Sequence, residues 1–499
     1  MILAQAAPST YVSWIAIAPE IALALGAAIV LLVDVQFRPR IRALGGVASL
    51  ALAVAFGLSI LQKLRLDSLL DGSLVVPDIG REVFPFAETI AFDPNAVFAR
   101  FVILIVAGLG IASGWRLFER LGRRAAEALA LMLISAAGFM FMASSLHLVM
   151  MFLGLEVGSI ALYVLAGFSR ERSDSDEAAI KYFLLGSVAS AVFIYGVALV
   201  FAGTGRLNLL AVAQYLPGVQ ILRPGVLLAG LAMLIVGLAF KISAAPFHSW
   251  APDVYQGAPA GLVGYMAAAA KIGGFAALAR ILFSAFPSMT DDWAPLVAGL
   301  ATVSMILGAL LAAVQDDVRR LLAYSGVAHA GFILTGLVSG GSGAGEVWFY
   351  LAVYTVQLVG AFGVVASVAG AGSGRASIAS FAGLARRMPF LATTFAILLL
   401  GMAGLPLTSG FVAKFGVFQS AWQGGFEWLV IVGVLASVVG FYFYLKVIVA
   451  MFMQESDAPE MTDPGIPTRW ALGFAATATL ALGLFPEPLL ALARDTLPI

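Results

Sequence analysis

An all-α polytopic membrane protein is the fold class the sequence predicts, and three observations carry it. The 499 residues are 61% hydrophobic and only 11% charged, with a mean hydropathy of +1.00, far outside the balance of a soluble globule. Apolar stretches of about 20 residues, the length that crosses a bilayer core, recur along the whole chain. Two of those stretches are interrupted by proline beside a lysine, which marks a polar interior, because broken helices in lipid are tolerated only where protein or water meets the freed backbone.

Taken in order, the apolar windows predict about fourteen spans, near 13–33, 42–62, 95–115, 124–143, 145–168, 178–202, 225–249, 259–284, 294–314, 321–339, 347–369, 390–422, 428–453 and 469–490. Loops after odd-numbered spans hold Arg38, Arg40, Arg42, Arg116, Arg120, Arg123, Arg124, Arg170, Arg172, Arg319, Arg320, Arg375, Arg386, Arg387 and Arg469. The opposite loops hold fewer than half as many basic residues: Lys63, Arg65, Arg81, Arg206, Arg223, Arg280 and Arg494. The positive-inside rule therefore puts both termini outside. The long loop 64–95, broken by Pro77, Pro85 and Pro94, is then external, and no cleaved leader is read in residues 1–10.

The interrupted spans are the seventh and the twelfth. In Lys241-Ile-Ser-Ala-Ala-Pro246-Phe-His248 the proline ring clashes with the Ile242 carbonyl and removes one hydrogen bond. Gly401-Met-Ala-Gly404-Leu-Pro406-Leu-Thr408-Ser409-Gly410, followed by Lys414, does the same with more glycine. Five crossings separate the breaks, so the two helices run in opposite directions, the pattern of inverted-repeat transporters. The expected organisation is residues 1–123 with spans 1–3, 124–286 as a first five-helix repeat (spans 4–8), 287–453 as a second (spans 9–13), and 454–499 with span 14. The plainer reading is that each proline kinks its helix for packing alone, but two matched breaks near lysines weigh against it.

Composition narrows the function. Lysine plus arginine equals aspartate plus glutamate, 28 of each, which gives no basic surface for nucleic acid. Without cysteine there are no disulfides, iron–sulfur ligands or thiolate chemistry, and three histidines, His147, His248 and His329, leave little for haem. No GxGxxG, GxxxxGK or HExxH motif occurs, so neither nucleotide nor a catalytic metal is expected.

What remains is charge inside the membrane. Glu156 lies mid-span in the fifth window and Lys271 mid-span in the eighth, where a charge costs about 2.5–3.5 kcal/mol and is functional by default. Lys241 is biased to the inner half, Lys414 to the outer half, and Lys181 lies nearest the inner surface. Lys181, Lys241 with Glu156, Lys271 and Lys414 thus form a file of titratable groups, the layout of a proton relay. His248 and His329 are candidates to fill its gaps, against the plainer reading of each as a satisfied buried hydrogen-bonding group. His147 reads as interfacial, Lys446 as snorkelling, and Asp253, Asp316 and Asp317 as loop ion pairs and caps.

Four stretches carry a family resemblance: Glu177-Ala-Ala-Ile-Lys181-Tyr-Phe-Leu-Leu-Gly-Ser, Lys241 to Tyr255 (KISAAPFHSWAPDVY) with the following Gly257-Ala-Pro, Leu322-Ala-Tyr-Ser-Gly-Val-Ala-His329-Ala-Gly, and Gly404-Leu-Pro-Leu-Thr-Ser-Gly-Phe-Val-Ala-Lys414-Phe. They resemble the subunit N family of bacterial respiratory complex I, the NADH dehydrogenase subunit 2 family, from about residue 13 to the C-terminus. The resemblance implies a proton-translocating subunit in the bacterial inner membrane, with both termini periplasmic. It implies no cofactor in this chain: NADH oxidation by flavin, the iron–sulfur clusters and quinone reduction belong to other subunits, its membrane partners. It also implies that Glu156 and Lys241 form a coupled pair, that Lys271 is a central relay, that Lys414 faces the exit side and that Lys181 is auxiliary near Glu156; His248 and His329 lie in family motifs. One departure is Asp316-Asp317 before Arg319-Arg320, where the family more often has uncharged polar residues. The rival readings are a subunit of a multisubunit cation/proton antiporter or membrane-bound hydrogenase, a stand-alone solute transporter, and a scaffold between pumping neighbours.

Overall fold

The computed structural model describes residues 14–70, 89–169, 172–218, 224–369, 376–455 and 463–496. Pro77, Pro85, Arg81, Arg170, Arg223, Arg375 and the glycine-rich stretch 370–374 lie outside them. The principal helices are α1 (Ala18–Phe37), α2 (Ile41–Leu70), α3 (Pro94–Ser113), α4 (Ala125–Ser144), α5 (Leu148–Ala166), α6 (Ser173–Thr204), α7 (Pro224–Lys241), α8 (Trp250–Gly257) and α9 (Ala260–Arg280). They continue with α10 (Thr290–Ala313), α11 (Val318–Leu337), α12 (Ala344–Ala369), α13 (Pro389–Ala403), α14 (Ser409–Gln423), α15 (Glu427–Met453), α16 (Ile466–Leu484) and α17 (Glu487–Arg494). Among the described residues the only β pairing is three isolated bridges.

Among the described residues eleven helices are long and apolar enough to cross a membrane, or twelve if α16 and α17, bent by 82°, count as one span. The fourteen expected windows include two that fall short of this test. The tenth is α11, a helix made less apolar by Arg319, Arg320 and His329. The twelfth is split into α13 and α14, each 15 residues long. Chemistry that puts polar groups and helix breakers into a span is what removes these two from a purely apolar count.

Burial orders the bundle. The apolar window of α9 is 94% buried and that of α6 only 28%, so the helix carrying Lys271 is the axis and α6 is rim. Small residues let helix pairs close up: a Cβ on Gly138 of α4 would lie 2.4 Å from the Gly158 amide of α5, and one on Gly308 of α10 would lie 2.4 Å from the Ala328 amide of α11. The same two pairs begin alike. Before α5, His147 bridges Asn208, with Leu148 N–H donating to Leu207 O at 2.9 Å and Leu209 N–H to Leu146 O at 2.8 Å. Before α11, Asp317 bridges Ser377, with Val318 N–H donating to Ala376 O and Ile378 N–H to Asp316 O, both at 2.8 Å.

Two buried ion pairs fasten α3 to its neighbours. Asp93 caps α3 by accepting from Ala96 N–H at 2.8 Å, Pro94 supplies the first helical residue, and the same carboxylate takes a bidentate grip from Arg280 at 2.8 and 2.9 Å. Both side chains are 0% exposed, and Arg280 Nε also donates to Ala143 O at the end of α4. Arg100 reaches Glu20 at 2.8 Å and the Ala16 carbonyl at 2.8 Å. These pairs join the first three spans to the bundle.

Candidate functional site

The site forms where the seventh window fails as a helix. α7 stops at Lys241; Ile242 to Ser249 follow an irregular path, Ser243 has a φ of 61°, and a short helix, α8, resumes at Trp250. Pro246 has no N–H, so the Ile242 carbonyl loses its donor four residues on. Lys271, projecting from mid-α9, donates to that carbonyl at 2.7 Å. The second break repeats the solution. α13 ends at Ala403, Gly404 (φ 85°) and Leu407 (φ 72°) take left-handed backbone, and Lys414 of α14 donates to Ala403 O at 2.8 Å. There the chains approach so closely that a Cβ on Gly410 would lie 1.8 Å from the Gly401 carbonyl oxygen, which only glycine allows. Each break is thus capped by a buried lysine from another helix.

Lys241 is 2% exposed and sits in an aromatic cage. Its Nζ donates to Tyr182 Oη at 3.4 Å and lies 5.6, 5.4 and 5.3 Å from the ring centres of Phe139, Tyr163 and Tyr182. Trp250 stacks on Tyr182 at 4.4 Å and donates Nε1–H to Phe240 O at 3.0 Å, so α8 closes the cage from the far side of the break. Glu156 is half-buried on α5 and accepts from the Ser190 hydroxyl of α6. No ion pair joins Glu156 to Lys241 among the described residues; Tyr163, edge-on to Tyr182 at 4.6 Å, belongs to the same helix as Glu156 and to the wall of the Lys241 cage. Gly186 of α6 makes room for it, since a Cβ there would lie 2.2 Å from the Tyr163 hydroxyl.

From Lys271 the buried polar groups continue into the second half. A Cβ on Gly326 would lie 3.2 Å from Tyr354 Oη and 3.8 Å from Lys271 Nζ, so this glycine leaves a gap between the two. Tyr354 Oη is buried without a hydrogen-bond partner among the described residues, and its ring stacks on His329 at 4.2 Å. His329 is held by the hydroxyls of Tyr350 at 2.9 Å and Tyr444 at 3.2 Å, and its ring meets Phe332 at 5.8 Å. Lys414 Nζ lies 4.7 Å from the centre of that Phe332 ring. Lys241, Lys271, His329 and Lys414 thus succeed one another in the buried interior, with the Ile242 carbonyl beside Lys271, a gap at Gly326 and the Phe332 ring between His329 and Lys414.

Two expected residues stand apart. His248 is half-buried on the irregular stretch, with Nδ1 unpartnered and its ring 6.1 Å from Tyr324; because α7 has ended, it does not share a helical face with Lys241. Lys181 pairs with Glu177 at 2.7 Å and Asp253 at 2.8 Å rather than with Glu156. Pro246 and Pro406 lie at the breaks, as their ring chemistry requires.

Asp253 has a larger part than a loop ion pair. It holds Lys181 of α6 with one oxygen and Arg320 of α11 with the other at 2.7 Å, clamping α8 between α6 and α11. Burial raises its carboxyl, but the hydrogen bonds from Lys181 and Arg320 outweigh burial and hold it below the ordinary aspartate range. A depressed native carboxyl stabilises the fold above its unfolded value and loses that contribution as pH falls through the native one. Asp253→Asn therefore lowers stability at pH 7 by about 0.5–1 kcal/mol, and the difference from the native protein shrinks below about pH 4; thermal unfolding in detergent at the two pH values checks both. A variant as stable as the native chain at pH 7 removes the clamp.

Sequence reasoning alone missed Tyr163, Tyr182, Ser190, Tyr350 and Tyr354 as site walls, and Asp93 as an ion-pair partner. The Asp93-Pro94 pair before an apolar run was a readable cap signal. The tyrosines gave none, since buried aromatics look alike in a chain with 12 tyrosines and 35 phenylalanines. Among the described residues no cluster of histidine and carboxylate groups is suited to a metal.

A long helical bundle with two broken helices and a buried lysine file defines an antiporter-like membrane subunit. The family described as NADH:quinone oxidoreductase/Mrp antiporter, TM, matches residues 145–440, the segment that holds both breaks. NADH-quinone oxidoreductase subunit N 1 of Solibacter usitatus (strain Ellin6076) is 39% identical over 472 residues, 94% of each chain. A chain of respiratory complex I from Thermus thermophilus with bound aureothin superposes with a TM-score of 0.77 at 32% identity, covering 95% of this chain and 99% of that one. A chain of the Mrp complex from Dietzia sp. DQ12-45-1b shares the fold alone, with a TM-score of 0.80 at 20% identity and 97% of each chain covered. The chain belongs to the NADH-quinone oxidoreductase subunit N family, within the antiporter-like membrane subunits.

Proposed function

We propose that the chain is the proton-translocating subunit of a bacterial respiratory complex I, driven by NADH oxidation and quinone reduction in its partner subunits. The observation that carries the reading is the succession of buried basic groups Lys241, Lys271, His329 and Lys414, which spans two helix breaks. In this reading Lys241, tuned by Glu156 through the Tyr163 and Tyr182 walls, takes a proton from the inner side. Lys271 passes it across the Gly326 gap towards Tyr354 and His329, and Lys414 delivers it outward. Lys181 and Asp253 lie at the inner mouth, and His248 flanks it. The lysines suit this task because burial penalises their charged form while a hydrogen-bond acceptor favours it, so small movements change proton affinity.

The organisation proposed with it is two inverted repeats, 124–286 and 287–453, in a chain crossing the inner membrane with both termini periplasmic. The matched bridges before α5 and α11, the glycine contacts of α4 with α5 and of α10 with α11, and the paired breaks support the repeat. Flavin and iron–sulfur chemistry is assigned to other subunits.

The test is to solubilise native membranes in mild detergent, separate them on a native gel stained for NADH oxidation, and identify this chain by mass spectrometry. Co-migration with the stained high-mass band is the expected result. Migration in a smaller band without NADH activity would replace this reading with a cation/proton antiporter, which the shared fold also accommodates.

A further inference from the structure

We infer that the chain binds an anionic phospholipid headgroup in a basic cleft at the junction of α1 and α2, remote from the proton file. The cleft has a volume of about 520 Å³ and is lined by Arg38, Arg40, Arg42 and Arg123, with Asp34 and Glu119. It forms where the loop between α1 and α2 meets the Gly122–Arg124 turn ahead of α4, both on the arginine-rich side of the membrane. Arg38 has a left-handed backbone (φ 47°) that ends α1 and turns the chain, so Arg38, Arg40 and Arg42 line one wall of the cleft.

Charge and shape both select an anion. None of the four arginines makes an ion pair with a described residue, whereas Glu119 is engaged by Trp115 Nε1–H at 3.0 Å and by Arg116 at 3.3 Å. Four guanidiniums thus face two carboxylates, one of them already taken. Forked guanidiniums match the oxygens of a phosphodiester, and basic pockets between membrane helices on this face are where such headgroups bind.

The flank of the cleft says why the phosphate carries acyl chains. The last turns of α1 expose Leu32 (67%), Val35 (72%) and Phe37 (72%) directly beside the arginines. A lipid with its phosphate in the cleft lays its tails along this apolar strip. A free anion makes no use of it.

The experiment is native mass spectrometry of the intact membrane complex containing this chain, exchanged into phosphatidylcholine and titrated with phosphatidylglycerol. The variant combines Arg38→Gln, Arg40→Gln, Arg42→Gln and Arg123→Gln, and the control is Arg386→Gln, an exposed arginine paired with Glu455 outside the cleft. The expected result is the loss of about one tightly held phosphatidylglycerol per chain in the variant, with affinity falling roughly fivefold per arginine removed, while the control retains it. Should the fourfold variant fail to assemble, Arg40→Gln with Arg42→Gln shows half the number of steps. Equal phosphatidylglycerol retention in variant and native protein overturns the site. Displacement of the lipid by inorganic phosphate at matched concentration overturns the lipid assignment in favour of a free anion.

Discussion

In a reconstituted complex carrying Lys241→Ala, NADH-driven quinone reduction and proton uptake into the vesicles fall together, by roughly tenfold or more, a loss of at least about 1.4 kcal/mol at the rate-limiting step. The two activities fall together because a coupled machine does not turn over with one channel blocked. In the proposed path no neighbour is expected to substitute for this lysine. Its cage is made of Phe139, Tyr163 and Tyr182, which hold a cation by their faces and one hydroxyl but carry no basic group of their own. Alanine leaves a void lined by rings, and in the proposed path a proton then has no base to take it before Lys271. Full pumping by an assembled mutant would remove the proposed mechanism. Lys414→Ala is expected to act more weakly, since in the proposed path that residue is the last of the file and a water could bypass it.

Arg280→Ala has the largest expected effect on stability. It leaves the Asp93 carboxylate fully buried and uncompensated, which costs about 3–5 kcal/mol, and it orphans the Ala143 carbonyl as well. The measurement is the thermal midpoint and assembly yield of the solubilised complex. The paired replacement Asp93→Asn with Arg280→Met keeps the α3 cap and removes both charges, and it recovers most of the loss. A single mutant as stable as the native protein would show that the pair is solvated and that the first three spans are held by other contacts.

Much of this was legible in the chain because hydropathy and proline chemistry act locally. The long apolar helices follow from composition, and Pro246 and Pro406 announced both breaks. Mid-span charge pointed to Lys271, and the capping behaviour of Asp317 was expected from its position; it accepts from the Arg319 and Arg320 amides. What the chain did not disclose were contacts between distant segments. The family resemblance implies Lys181 beside Glu156, yet α8 brings Asp253 to it at 2.8 Å, a contact that no one-dimensional spacing reveals. On an unbroken helix His248, seven residues after Lys241, would share its face two turns on, but α7 ends at Lys241. The windows 321–339 and 390–422 were legible as spans, although α11 and the α13–α14 pair fall short of a strict apolar helix test because the polar groups and glycines that build the site lower a hydropathy average.

The bond from Lys271 to the Ile242 carbonyl makes one acceptor the object of a contest. In an uninterrupted helix that oxygen belongs to its own strand of backbone, and a side chain from α9 would find it occupied. Proline at 246 disqualifies the local competitor and hands the oxygen to a group that titrates. The shape of the broken segment and the position of the lysine are then two readings of one variable: the amine cannot leave this carbonyl without taking away the only donor it has among the described residues.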